Sequence, residues 1–122
     1  MKKINLTLPW PPSLNRLYRA VSGRVVLSEE GRNYALKVSN ALPTGRVEPL
    51  AGRLHVEIVF CPPEKLIGKS CDIANREKVF CDALTKCGVW RDDDQIDEMR
   101  IARGMPLSNY PSGVVLLSIR EA

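Results

Sequence analysis

Aspartates at both ends of one segment are the side chains of this sequence best suited to metal chemistry. Asp72 begins an amphipathic stretch, and the run Asp92-Asp93-Asp94 follows its end. Mg²⁺ prefers oxygen ligands, usually one or two carboxylates together with water and phosphate oxygens. In a phosphodiester nuclease such an ion activates water and stabilises the leaving oxygen, while a lysine offsets charge on the phosphate. Asp72, Asp93 and Lys78 are the candidates for these catalytic roles.

The same aspartates also have simpler structural explanations, which the pattern leaves open. Asp72 is a good helix N-cap, and the acidic run could be only a solvated turn. A helix of 16 residues would also separate the two groups by about 24 Å. The acidic turn must therefore fold back along the sheet, or two subunits must share the site.

Composition and charge favour an ordinary globular domain with an anionic partner. The chain has 122 residues and a net charge of +4, which suits one domain spanning residues 1–122 and a polyanion such as DNA. No apolar run approaches the roughly 20 residues needed to cross a bilayer, which predicts no membrane association. Because prolines interrupt the first twelve residues, a signal peptide is not expected, and we predict a cytoplasmic protein.

Cysteine and histidine usage argues against two other kinds of site. The four cysteines form no CxxC pair, so a zinc site is poorly supported and free thiols that help to fill the core are expected. His55 is the only imidazole, and it lies in an alternating strand pattern. A Ser-His or Cys-His nucleophile would have to use this one residue, which is not favoured.

Hydrophobic periodicity predicts an α/β (α+β) domain that has a mixed sheet of about four to five strands and two main helices. Ser28 is the expected cap of the first helix, whose inner face would carry Tyr34, Val38, Ala41 and Leu42. The second helix would run from Asp72 to Cys87 and end at Gly88. Strands are predicted over residues 3–8, 24–27, 53–60, 95–105 and 114–119.

Four segments together resemble the RusA family of Holliday-junction resolvases. They are LPWPPSLNRLYR, LSEEGRNY, the closing hydrophobic strand and, most specifically, CDIANREKVFCDALTKCGVWRDDDQI. The resemblance implies a small homodimeric endonuclease that binds four-way or branched DNA. With Mg²⁺, or with Mn²⁺ in its place, such an enzyme nicks two symmetric strands. No organic cofactor is implied.

The resemblance also assigns individual residues. The first catalytic aspartate of the family falls on Asp72, the asparagine of its motif on Asn75 and its functional lysine on Lys78. Its acidic pair falls on Asp92 and Asp93, of which Asp93 is the expected metal ligand.

One position departs from the family motif. The motif resembles D-x-D-N, whereas this chain has Ala74 between Ile73 and Asn75. Alanine cannot coordinate a cation, so the chain lacks one expected carboxylate. Either the alanine was introduced to trap uncleaved DNA, or it is natural and Asp92 or Asp94 takes over.

Further matched residues are candidates for contact with DNA. They follow the Trp10-Pro11-Pro12 turn or lie on the loop that enters Asp72: Asn15, Arg16, Arg19, Lys65 and Lys69, with Asn75 and Lys78 on the helix. Basic and aromatic groups of this kind suit phosphates and unstacked bases. Arg76 is ambiguous, because its helical angle places it near the buried side, where a dimer contact is conceivable.

Two alternative functions, from other classes of protein, remain open. A catalytically inactive protein that binds junctions would keep the basic surface, and Ala74 favours it. A small interaction protein with an acidic surface turn would show no salt-dependent affinity for branched DNA.

Overall fold

The fold is given by a computed structural model that describes residues 3–13, 18–43, 48–69 and 72–121, with the backbone alone at 18–21 and 24–27. Its strands are β1 (Lys3–Pro9), β2 (Tyr18–Val21), β3 (Arg24–Leu27), β4 (Leu54–Cys61), β5 (Ile96–Arg103) and β6 (Val114–Glu121). Its helices are α1 (Glu29–Ala41) and α2 (Ile73–Lys86), with 3₁₀ turns at Glu64–Leu66 and Asp93–Gln95. The predicted α+β class and two main helices are confirmed.

The main sheet is four-stranded and mixed, in the order β1-β6-β4-β5. β4 and β5 are parallel and run from the Leu54–Ile96 pair to the Phe60–Arg103 pair, while β6 is antiparallel to both β1 and β4. Parallel neighbours need a crossover connection, and α2 supplies it. The predicted last two strands are confirmed, although β5 begins at Ile96, after a 3₁₀ turn that contains Gln95.

A separate hairpin joins β2 to β3 through Ser22 and Gly23, which have φ angles of +50° and +76°. Two consecutive positive φ values are typical of the tight turns that suit the twist of hairpin strands. The sequence predicted β3, whereas β2 was not predicted.

Local signals account for α1. The Ser28 side chain accepts a hydrogen bond of 3.1 Å from the amide of Gly31, as the cap prediction required. Tyr34 and Val38 are buried, and the Tyr34 hydroxyl donates to the carbonyl of Pro9 over 2.8 Å. The prediction that Ala41 faces inward is wrong: it is exposed, because it lies in the last turn at the edge of the packed face.

The core lies between one face of the main sheet and the two helices. Leu54, Val56, Ile58 and Phe60 alternate on the buried face of β4, as predicted. Trp90 is fully buried, and its indole nitrogen donates to the Thr85 hydroxyl over 2.7 Å.

Cys61 and Cys81 are buried free thiols, which fits the expected core-filling role; Cys71 lies outside the described residues. Within the described ranges, no helix is both long and apolar enough to span a membrane.

Candidate functional site

Asp72 caps the N-terminus of α2. Its Oδ1 atom accepts hydrogen bonds from the amides of Ala74 and Asn75, at 3.0 and 3.3 Å. The carboxylate is exposed, and the cap bonds described use only one of its two oxygens. Asp72 therefore has the structural role that the sequence allowed, and its side chain remains exposed.

The acidic turn after α2 is ordered by hydrogen bonds, and its three aspartates are exposed to solvent. Asp92 accepts from the amide of Asp94 over 3.0 Å and caps the following 3₁₀ turn. The Gln95 side chain accepts from the amide of Asp92 over 2.9 Å and donates to the carbonyls of Leu50 and Gly52, each over 2.9 Å. Gln95 thus anchors the turn to the segment that leads into β4.

The acidic turn folds back onto α2 within one chain. The pKa of Asp93 is raised chiefly by its hydrogen bond with Asp92, and further by burial and by the negative charges of Asp92 and Asp82. The positive charge of Lys78 lowers this pKa. Asp92 has a lowered pKa, chiefly because it accepts the amide hydrogen bond of Asp94. Asp93 thus lies beside α2 of its own chain, but within the described residues it does not join Asp72 and Asp92 in one group of ligands, so a site shared by two subunits stays open.

Asp72 lies farther along the helix. Lys78 follows it by six positions, about 9 Å along the axis at 1.5 Å per residue. Asp93 thus lies beside the middle of α2, near Lys78, whereas Asp72 lies at the start of the helix.

One strip of α2 carries Ala74, Lys78 and Asp82 at successive spacings of four residues. Residues four apart are neighbours on a helix surface. Nζ of Lys78 lies 3.5 Å from Oδ2 of Asp82, and Ala74 is exposed one turn before Lys78. A carboxylate at position 74 would therefore stand on the strip that faces the acidic turn. No site role was predicted for Asp82 from the sequence, although its spacing of four residues from Lys78 was the available signal.

Metal ligation by Asp72, Asp92 and Asp93 stays a prediction. In the part of the chain that the structure describes, no group of three or more His, Cys, Asp or Glu side chains is placed to hold an ion. The pKa of Asp93 is raised first by its hydrogen bond with Asp92, and Asp72 is not among the groups that act on it. Mg²⁺ is usually held by one or two carboxylates plus water and phosphate, so the neighbouring Asp92 and Asp93 have suitable chemistry, whereas Asp72 is not grouped with them in the described structure.

The predicted DNA-binding residues fall in several places. Lys65 is exposed in the 3₁₀ turn Glu64–Leu66 and Lys69 is exposed just beyond it, while Asn75 is partly buried on α2. Asn15 and Arg16 lie outside the described residues. Arg19 belongs to β2, where only the backbone is described.

Arg76 and Trp10 form a contact that sequence reasoning missed. The Arg76 guanidinium carbon lies 5.1 Å from the centroid of the Trp10 ring, and Nη1 donates to the carbonyl of Pro11 over 2.8 Å. The Trp10 ring packs edge-on against Phe60, with centroids 6.0 Å apart. Trp10 is therefore part of a structural turn that packs on the sheet.

Comparison with known proteins identifies the family of this site. The model of the family described as Endodeoxyribonuclease RusA matches residues 9–114, a range that includes both ends of α2 and the acidic turn. The chain belongs to the RusA endodeoxyribonuclease family, which confirms the resemblance found in the sequence.

Relatives match along nearly the whole chain. Proteins named Crossover junction endodeoxyribonuclease RusA from Escherichia coli (strain K12) and Shigella sonnei (strain Ss046) are each 35% identical to it over 122 residues. A protein of the same name from Enterobacteria phage 82 is also 35% identical. In each case the match covers 99% of this chain and 97% of the relative.

Proposed function

We propose that this chain is a metal-dependent, structure-selective endonuclease of four-way DNA junctions that makes paired symmetric nicks. The observation that carries the proposal is the match, over 99% of the chain, to proteins named crossover junction endodeoxyribonucleases. The net charge of +4 supports a polyanionic substrate.

The proposed catalytic groups lie at α2 and the acidic turn. Asp72 and Asp93 would hold Mg²⁺, with Asp92 beside them, and the bound ion would supply an activated water and charge neutralisation at the leaving oxygen. Lys78 would present a positive charge to the scissile phosphate. Its ion pair with Asp82 supports this role, because the pair holds the lysine on the side of α2 nearest Asp93.

Ala74 leaves this proposed centre one carboxylate short. A missing ligand weakens cation binding and misplaces the attacking water, and a misplacement of about 1 Å costs about 10²-fold in rate. We therefore expect slow nicking by the chain as it stands. An inactive junction-binding protein is the second candidate function, and the same alanine favours it.

A homodimer would match the substrate. A four-way junction is nearly two-fold symmetric, so a two-fold protein presents one site to each of two opposed strands. We propose that Lys65, Lys69 and Asn75, together with Asn15, Arg16 and Arg19, contact the DNA backbone near these sites.

The proposal is tested with a labelled four-way junction and a linear duplex of the same sequence. We expect selective junction binding in EDTA that weakens steeply with salt, and slow paired nicks in Mg²⁺ or Mn²⁺. Absence of junction-selective binding would contradict both candidate functions. Tight binding with no nick in either metal would select the inactive binding protein.

A further inference from the structure

A cavity of about 640 Å³ opens beside the start of α2, between the turn after β1, the outer face of α1 and the turn after β4. Four proline rings contribute to its walls: Pro11, Pro12, Pro63 and Pro111. Pro11 and Pro63 are buried, so the rings that a ligand can reach are those of the half-buried Pro12 and the exposed Pro111. The volume is that of an ordinary small-ligand site.

The charged groups of this cavity are mainly cationic. Lys37 on α1, Lys65 after β4 and Arg76 on α2 line it, against the single carboxylate of Glu30. Lys37 and Lys65 are exposed, and among the described residues neither forms a salt bridge. Two lysines from separate elements therefore face one cavity, whose wall is mainly polar and includes smaller apolar parts, and this suits a ligand that combines an anionic group with a flat ring.

Arg76 supplies a buried donor on the cavity wall. Its Nη1 atom donates a hydrogen bond to the carbonyl of Pro11, whereas Nε is buried and has no hydrogen-bond partner within the described structure. Buried polar groups in proteins nearly always have a partner. Because this N–H is not accessible from the cavity, Arg76 contributes positive charge to the cavity wall, and its guanidinium lies against the Trp10 ring.

The cavity is distinct from the proposed catalytic strip. Arg76 is two positions from Ala74 and from Lys78, which is about 200° around the helix. The cavity and the strip consequently lie on opposite sides of the first turns of α2. A group bound in the cavity would not occupy the proposed metal centre.

We infer that this cavity binds an unpaired nucleotide of a DNA strand, with Lys37 and Lys65 on its phosphates and the proline rings against its base. Proteins hold single strands without base-pair readout by combining a positively charged groove with aromatic side chains on which bases stack, and the partly exposed Trp10 lines this cavity. The inference rests on the proposed function for the identity of the strand, because the proposed junction substrate is what supplies the DNA.

The test uses tryptophan emission of the full chain during titration with tetrathymidylate. Trp10 lines the cavity and is partly buried, whereas Trp90 is fully buried in the core. We expect saturable quenching by tetrathymidylate, and little effect of inorganic phosphate at the same concentration. An unchanged emission, or full displacement of the oligonucleotide by equimolar inorganic phosphate, would overturn the inference.

Two variants and one matched control make the test specific. Lys37→Gln and Lys65→Gln should each weaken tetrathymidylate binding roughly threefold to fivefold and reduce the slope of log affinity against log salt by about 0.7. Lys86→Gln alters an exposed lysine at the other end of α2 and should bind like the unmodified chain. Equal losses in all three variants would contradict a localised site.

Junction nicking by the same preparations separates the two proposals. A chain that nicks junctions without quenching by tetrathymidylate overturns the nucleotide cavity alone. A chain that is quenched but never binds junctions overturns the proposed function alone.

Discussion

Lys78 and Asp82 form an ion pair one helical turn apart, with Nζ 3.5 Å from Oδ2, and the charges of both act on Asp93 of the acidic turn. This relationship connects the middle of α2 with a residue that follows its C-terminus. It places a lysine and carboxylates on one surface, which is the arrangement that the proposed nuclease centre would use.

The first prediction concerns Lys78. In an Ala74→Asp background, Lys78→Ala should lower the single-turnover rate of junction nicking by about 10²-fold, because a positive charge near the developing phosphate charge is lost. Lys86→Ala is the matched control and should leave the rate unchanged, since Lys86 is exposed at the far end of α2. Unchanged nicking by the Lys78 variant would remove its proposed role.

The second prediction concerns the pH response of the acidic turn. Asp93 should titrate at a higher pH than Asp92 in ¹³C carboxyl NMR, because Asp93 has a raised pKa and Asp92 a lowered one. Asp92→Asn should lower the pKa of Asp93 more than Asp82→Asn does, since the Asp92 hydrogen bond is the largest cause of the shift. The opposite order of the two titrations would show that this turn has a different arrangement in solution.

The raised pKa of Asp93 has consequences for stability and for metal affinity. The folded state binds the Asp93 proton more tightly than the unfolded state does. The free energy of unfolding therefore falls as the pH rises from the unfolded-state pKa of Asp93 through its folded-state pKa. A metal needs the ionised carboxylate, so Mg²⁺ affinity should fall as pH falls through the folded pKa. Calorimetric Mg²⁺ titrations at several pH values measure this trend, and an affinity that rises on acidification would contradict it.

The third prediction concerns Gln95. Gln95→Ala should lower the free energy of unfolding by about 2–3 kcal/mol in urea, because it removes the bonds that join the acidic turn to Leu50 and Gly52. Asn40→Ala, at an exposed position on α1, is the control and should have a small effect. A loss under about 0.5 kcal/mol for Gln95→Ala would show that the anchor is energetically unimportant.

Local signals in the sequence predicted most of the fold. Asp72 and Gly88 correctly marked the ends of α2, because a carboxylate cap and a glycine at φ +78° are local requirements of a helix terminus. The alternation of apolar residues in β4 identified its buried face for a similar reason. β2 was missed because its four residues carry little alternation and depend on pairing with β3.

The site was harder to predict, because its contacts join distant parts of the chain. The stacking of Arg76 on Trp10 crosses 66 positions, and the anchoring of Gln95 at Leu50 crosses 45. Neither has a periodic signature. Family resemblance supplied the candidate residues, while the folded structure revealed Asp82 beside Lys78 and the cavity on the other side of α2.

Restoration of a carboxylate at position 74 tests the central claim most directly. The unmodified chain and Ala74→Asp are compared on a labelled four-way junction in Mg²⁺, with junction affinity in EDTA measured for both. We predict that Ala74→Asp nicks two opposed strands about 10²-fold faster than the unmodified chain. An Ala74→Asp protein that binds the junction yet leaves every strand intact would contradict the assignment of this surface as a nuclease centre.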